Sequence, residues 1–166
     1  MSESEFPASM MDHVEEVVAA SMEAAVAPSA PILLALVGSS IQASRTPRMH
    51  EAEAAAQGLR CIYRIVDLET TRFGPGDLAD ILRFAEGFGF SGLNVTHPCK
   101  QAALPLLDEL TEDARRIGAV NTVLFRSGRA IGHNTDWWGF ASSFERELGA
   151  ERRRDVVLFG AGGGGA

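Results

Sequence analysis

Ile32-Leu33-Leu34-Ala35-Leu36-Val37-Gly38, written ILLALVG, is the stretch on which the fold turns. Six consecutive apolar residues leave no polar face for water, so a strand here must be covered on both sides. Such a strand belongs to a sheet with helices packed on it. The residues that follow meet that demand. After the turn SSIQASRTP, the segment PRMHEAEAAAQG reads as a helix, with Pro47 in its first turn and Gly58 as its stop. Cys61-Ile62-Tyr63-Arg64-Ile65-Val66 is the next strand.

The alternation continues downstream. Gly74-Pro75-Gly76-Asp77 forms a loop, with Asp77 placed to cap the helix LADILRFAEGF. Residues 92–96 make the following strand, which Pro98 ends because it offers no N–H to a ladder. KQAALPLLDEL and TEDARRIG read as further helix, residues 119–125 and 130–134 as a strand pair around a Ser127-Gly128 turn, and residues 137–148 as an amphipathic helix. Strands alternating with helices predict an α/β fold with a mostly parallel sheet flanked by helices.

Two flanking segments differ in composition. Residues 1–30 carry Glu3, Glu5, Asp12, Glu15, Glu16 and Glu23 without a Lys or Arg, which is −6 of the net charge of −7. This acidic extension reads as partly helical over residues 12–27, with Val14, Val17, Val18 and Met22 at helical spacing before Pro28 and Pro31. At the other end, Gly149-Ala150-Glu151-Arg152-Arg153-Arg154-Asp155 is a polar connector, and Val156-Val157-Leu158-Phe159 starts a new apolar strand. Three segments are therefore expected: an extension over 1–30, a domain over 31–150, and the start of another over 151–166.

Composition excludes several classes. No apolar run approaches the roughly 18 residues of a membrane span, and the N-terminus has no secretory signal pattern, so the expected location is the cytoplasm. With a net charge of −7 and no basic stripe, nucleic acid and anionic membrane surfaces are not expected partners. Cys61 and Cys99 make neither a disulfide framework nor a zinc cluster, and His50, His97 and His133 lack ligand spacing, so no metal site is expected.

The polar residues at the strand ends carry the chemistry. Asn94 and Thr96 in GLNVTHPCK sit two apart and so face one side of a strand, with Lys100 just beyond. Lys100 lies past one strand and Asp136 past another, so a parallel sheet brings both to one edge. A Lys beside an Asp suits oxidation of a secondary alcohol, where a group takes the hydroxyl proton as hydride leaves for a nicotinamide. Ser44 and Thr46 offer hydroxyls in a loop before a helix; read alone, they are local capping groups. Asn94, Thr96 and Asn121 read either as directional hydrogen bonders to a ligand or as braces for neighbouring loops. Asn134 and Thr135 shape the turn presenting Asp136. Cys99, a lone cysteine without a base, reads as inert, and Trp137 and Trp138 as core or interdomain packing. The terminal VVLFGAGGGGA places Gly160, Gly162 and Gly165 in the GxGxxG register after a strand; read alone, it is either the turn that admits a dinucleotide pyrophosphate or a flexible glycine tail.

Ser44-Arg45-Thr46-Pro47, Asn94-x-Thr96-x-Pro98-x-Lys100, Gly118-Ala119-Val120-Asn121-Thr122 and Gly132-His133-Asn134-Thr135-Asp136 precede that glycine turn in order. Together they resemble the shikimate/quinate dehydrogenase family over residues 32–166, specifically its substrate-binding N-terminal domain followed by the first strand and glycine turn of a Rossmann domain. The resemblance implies reversible hydride transfer between the C3 hydroxyl of shikimate or quinate and NAD or NADP. It implies Lys100 as catalytic acid/base, Asp136 as its partner and a substrate ligand, and Ser44 and Thr46 on the substrate carboxylate. Asn94, Thr96 and Asn121 then meet ring hydroxyls, and Gly160, Ala161, Gly162, Gly163 and Gly165 meet the cofactor. The Ser-x-Thr form looks like the quinate-using, often NAD-linked branch. Where Cys99 stands, the resembling enzymes commonly have an aromatic residue.

A chain holding only the start of the nucleotide-binding domain is expected to be inactive alone, and to dimerise or aggregate through residues 156–159 and the face of helix 137–148. The reading from another class is a non-catalytic polyol-acid binding or interaction module lacking the cofactor domain. An open frame beyond the codon for Ala166 favours the enzyme, and a stop favours the module.

Overall fold

The computed structural model describes residues 30–148 and residue 157. The acidic extension over 1–29, the boundary near 150 and the glycine turn over 160–165 lie outside the described residues. Among the described residues six strands form one sheet: β1 (Ile32–Gly38), β2 (Cys61–Asp67), β3 (Gly92–Val95), β4 (Glu109–Leu110), β5 (Thr122–Arg126) and β6 (Arg129–His133), in the order β2-β1-β3-β5-β6-β4. Helices α1 (Thr46–Ala56), α2 (Leu78–Gly87), α3 (Cys99–Ala102), α4 (Glu112–Ile117) and α5 (Asp136–Leu148) complete the expected α/β class.

The sheet is mixed. β1 pairs in parallel with β2 and β3, and β4 with β6, while β3–β5 and β5–β6 are antiparallel. β5 and β6 close through Ser127 and Gly128, at φ 52° and 71°. Two consecutive left-handed residues give the turn whose twist matches a tight hairpin.

The core confirms the apolar run. Val37 and Val95 are fully buried or nearly so, joined by Val120 and Val123 from the β5 side. Onto this face α2 lays Leu78, Ile81, Leu82 and Ala85, all buried, at the spacing of one helical stripe. Each such leucine contributes on the order of 1.5–3 kcal/mol by leaving water. Leu36, Ile41 and Tyr63 form a smaller cluster. α1 buries no residue fully, but its Glu51 Oε1 accepts the Tyr63 N–H at 3.1 Å. That bond closes a donor on β2, which is an edge strand.

Three local expectations are corrected. The segment 100–110 is not one helix: α3 stops at Ala102, a 3-10 turn spans Leu104–Leu106, and Glu109–Leu110 joins the sheet. Pro105 breaks the helical ladder, and β6 offers a free edge that draws Glu109 and Leu110 into parallel pairing with Ile131 and Gly132. Asp77 stands at the N-cap of α2 but makes no side-chain cap there, and its carboxylate accepts the Gly74 N–H at 2.8 Å instead. Trp137 and Trp138 are 39% and 40% exposed among the described residues, which removes the core half of their reading and leaves the interdomain half.

Among those residues no helix is long and apolar enough to cross a membrane, and no three His, Cys, Asp or Glu side chains cluster as metal ligands would.

Candidate active site

Parallel β1 and β3 end at the same edge of the sheet, β6 ends there, and antiparallel β5 begins there. Loops leaving that edge therefore converge, as in other open α/β sheets. The cleft they enclose has a volume of about 260 Å³. Ser44 and Thr46 line it from the loop after β1 and the start of α1. Asn94, Thr96 and Lys100 come from β3 and the segment after it, and Asn121 and Asp136 enter from the start of β5 and of α5. All seven residues expected at the substrate site thus share one cleft, with Leu36, Ile41 and Val95 as its apolar lining.

The loop carrying Ser44 is held from below by Asp67, whose side chain is almost wholly buried. Its carboxylate accepts the N–H groups of Ser40 and Glu69 at 3.1 Å and of Ile41 at 3.0 Å. The Glu69 N–H above all, with those of Ile41 and Ser40, holds the Asp67 carboxyl below its ordinary range against the opposing effect of burial. Ser44 Oγ accepts the Thr46 N–H at 3.2 Å and donates to Thr46 Oγ1 at 3.0 Å, so the two hydroxyls are tied into one unit. The N-cap of α1 is Arg45, without a side-chain cap, so the pair braces the first turn while both residues line the cleft.

β1 and the segment after β3 approach closely. The Thr96 N–H donates to Val37 O at 2.9 Å, and the Ser39 N–H to His97 O at 2.8 Å. A Cβ on Gly38 would overlap Thr96 Cγ2 and stand 2.8 Å from His97 O, so glycine is required there. The His97–Pro98 peptide is cis.

Lys100 Nζ forms an ion pair with Asp136 Oδ2, with the Lys side chain 20% exposed and the Asp side chain 44% exposed. Asp136 Oδ1 accepts Asn121 Nδ2 at 2.8 Å. Asn134 presents this Asp as expected: its Oδ1 accepts the Asp136 N–H, while its Nδ2 donates to Ala119 O, both at 3.0 Å. Thr135 is clamped by Asn121, which donates to its hydroxyl at 2.9 Å and accepts its N–H at 3.1 Å. Cys99, between Pro98 and Lys100, is fully buried, and burial pushes its thiol above the ordinary range.

Three residues received no site role from the sequence: Asp67, Tyr63 and Thr122. The Tyr63 hydroxyl donates to Asn94 Oδ1 at 2.6 Å, and Asn94 Nδ2 donates to Thr122 Oγ1 at 3.1 Å. The His50 ring stacks on Tyr63 at 5.0 Å between centroids, and burial pushes its imidazole below the ordinary value with Asn94 opposing. A signal for Tyr63 existed: it is the chain's one tyrosine, and a buried phenol needs a partner.

A cleft holding one ammonium, one carboxylate, three hydroxyls and two carboxamides can bind a small, highly hydroxylated acid and move a proton at one of its hydroxyls. Comparison with known proteins shows the family. Residues 36–123 match the family model described as the shikimate dehydrogenase substrate binding domain. The chain belongs to the shikimate dehydrogenase family. It is 51% identical over 134 residues to the NADP-dependent shikimate dehydrogenase of Streptomyces avermitilis, covering 81% of this chain and 46% of that protein. It is 52% identical over 135 residues to the NAD-dependent quinate/shikimate dehydrogenase of Corynebacterium efficiens, covering 81% and 48%. The solved quinate dehydrogenase of Corynebacterium glutamicum in complex with NAD superposes with a TM-score of 0.69 at 49% identity, over 74% of this chain and 44% of that one. The chain thus spans about half the length of these relatives.

Proposed function

We propose that this chain supplies the substrate-binding half of an NAD- or NADP-dependent shikimate/quinate dehydrogenase. The carrying observation is the convergence of all seven expected side chains on one cleft around the Lys100–Asp136 pair. Ser44 and Thr46 hold the substrate carboxylate, and Asn94, Thr96 and Asn121 direct the ring hydroxyls. Lys100 as the neutral amine takes the proton from the C3 hydroxyl while the hydride leaves during oxidation, and as the ammonium returns it during reduction. Asp136 orients the ammonium and accepts a substrate hydroxyl. The nicotinamide, when bound, supplies the hydride acceptor. The residues that would hold it are Gly160, Ala161, Gly162, Gly163 and Gly165, outside the described residues. Relatives are named for both nucleotides. Ser44-x-Thr46 is the ground for favouring quinate and NAD.

The test is calorimetric titration of shikimate and quinate into the chain, with cyclohexanecarboxylate as the acid lacking ring hydroxyls. Saturable binding of a hydroxylated acid, weakened in Lys100→Ala, supports the reading. A folded chain that binds neither hydroxylated acid overturns it.

A further inference from the structure

The hydrogen-bond directions around the cleft are forced, starting from two groups that cannot reverse. A carboxylate only accepts, so the Asn121 group 2.8 Å from Asp136 Oδ1 must be its nitrogen. A backbone N–H only donates, so the group 3.1 Å from the Thr135 nitrogen must be the Asn121 oxygen. Both constraints give the same orientation of the Asn121 carboxamide. Its oxygen also lies 2.9 Å from Thr122 Oγ1, so the Thr122 hydroxyl proton is committed to Asn121. Thr122 can then only accept from Asn94, which turns the Asn94 nitrogen toward it at 3.1 Å. The Asn94 oxygen is left facing Tyr63, whose hydroxyl must donate. Register supports this order, because Asn94 and Thr122 are direct partners in the β3–β5 pairing.

We propose that Tyr63 is a positioning residue of the substrate site. Its hydroxyl heads a one-way relay through Asn94, Thr122 and Asn121 to Asp136, which fixes both carboxamides for the ligand and holds Asp136 toward Lys100. Tyr63 is 5% exposed, so it acts through Asn94 rather than by touching ligand. Burial, with the neighbouring Cys61 second, pushes its phenol well above the ordinary range, so it stays a donor. A flipped Asn94 would set its oxygen against a Thr122 already committed to Asn121. That repulsion holds the Asn94 nitrogen on Thr122, and the Tyr63 proton satisfies the oxygen turned the other way. Hydrogen bonds in such a series also polarise one another, so loss at the head is felt at the far end.

The inference rests on the functional reading only where it concerns ligand, so the test begins without one. Side-chain amide spectra of the 166-residue chain are compared with those of Tyr63→Phe, which keeps the ring. Expected are shifts of both the Asn94 and the Asn121 carboxamide signals. The Asn134 signals, bonded to Ala119 outside the relay, should stay in place. Thr122→Val should also move Asn121, and Thr122→Ser should restore it. Backbone spectra identify any variant that has lost its fold, and the threonine pair then judges the relay without Tyr63→Phe. An Asn121 signal that stays put in Tyr63→Phe and in Thr122→Val overturns the relay. Titration then reads the consequence: shikimate or quinate affinity falls about tenfold in Tyr63→Phe, the loss of roughly one net hydrogen bond. Unchanged affinity with shifted amides overturns the positioning role. A wild-type chain that binds neither acid overturns the functional reading, while the ligand-free spectra still decide the relay.

Discussion

Lys100 and Asp136, 36 residues apart in the chain, meet as an ion pair at the rim of the cleft, and Asp136 gives its second oxygen to Asn121. Neither charge is deeply buried, so the pair itself adds little stability. Its value is directional: the ammonium has a fixed place from which to exchange a proton.

Turnover follows from that placement. In a chimera joining this chain to the remainder of the Corynebacterium glutamicum quinate dehydrogenase, Lys100→Ala is expected to lower kcat about 10²–10⁴-fold, the usual worth of a positioned acid/base. The KM for NAD should hold. Quinate-dependent NAD reduction is the measurement, and a variant with wild-type kcat removes Lys100 from the chemistry.

Asp67 makes stability depend on acid. Its folded-state carboxyl is held below the ordinary value of 3.8, so the folded protein binds the proton less readily than the unfolded chain. The stabilisation is complete above that ordinary value and is lost as pH falls through it toward the folded value. Urea midpoints measured from about pH 7 to about pH 3 should drop for the wild type and drop less steeply for Asp67→Asn. Parallel curves would remove Asp67 as the source.

Gly38→Ala tests the close approach of β1 to the segment after β3. The added methyl meets Thr96 Cγ2 and a backbone oxygen, and the oxygen cannot rotate away. A loss of about 1–3 kcal/mol is expected, as for other overpacked sites. Denaturant unfolding measures it, and ligand affinity should fall with it because Thr96 lines the cleft. Alanine at no cost would show that the two segments are free to separate.

Cys99 should behave as packing. Buried and with its thiol pushed upward, it is expected to react with iodoacetamide only as fast as the protein opens, well after half-buried Cys61. Mass spectrometry of partially labelled protein reads the order. Early labelling of Cys99 would mean that the turn before Lys100 opens easily.

Much of this was legible in the sequence, for identifiable reasons. The apolar run of β1 has one physical outcome, and the Ser127-Gly128 hairpin is announced by its turn chemistry. The seven site residues stand beside strand ends, where polar groups are conspicuous. Tyr63, Thr122 and Asp67 are different: each matters through a partner in another element. Asn94 reaches Thr122 only because β3 and β5 pair in that register, and Asp67 reaches Ser40 only because β2 lies beside β1. The segment 100–110 misled for the converse reason, since its helix-forming residues gave way to a sheet edge that no local pattern shows.

The order of the strands has a consequence for anyone who excises this domain. The family match spans residues 36–123, which would cut β1 after Ala35 and discard β6. The fragment would keep Lys100 without its counter-ion, and Asn121 with neither Asp136 nor the His133 carbonyl that anchors its N–H. Homology is scored along the chain, whereas the cleft is assembled across the sheet. A fragment meant to bind must run at least from Ile32 through the start of α5.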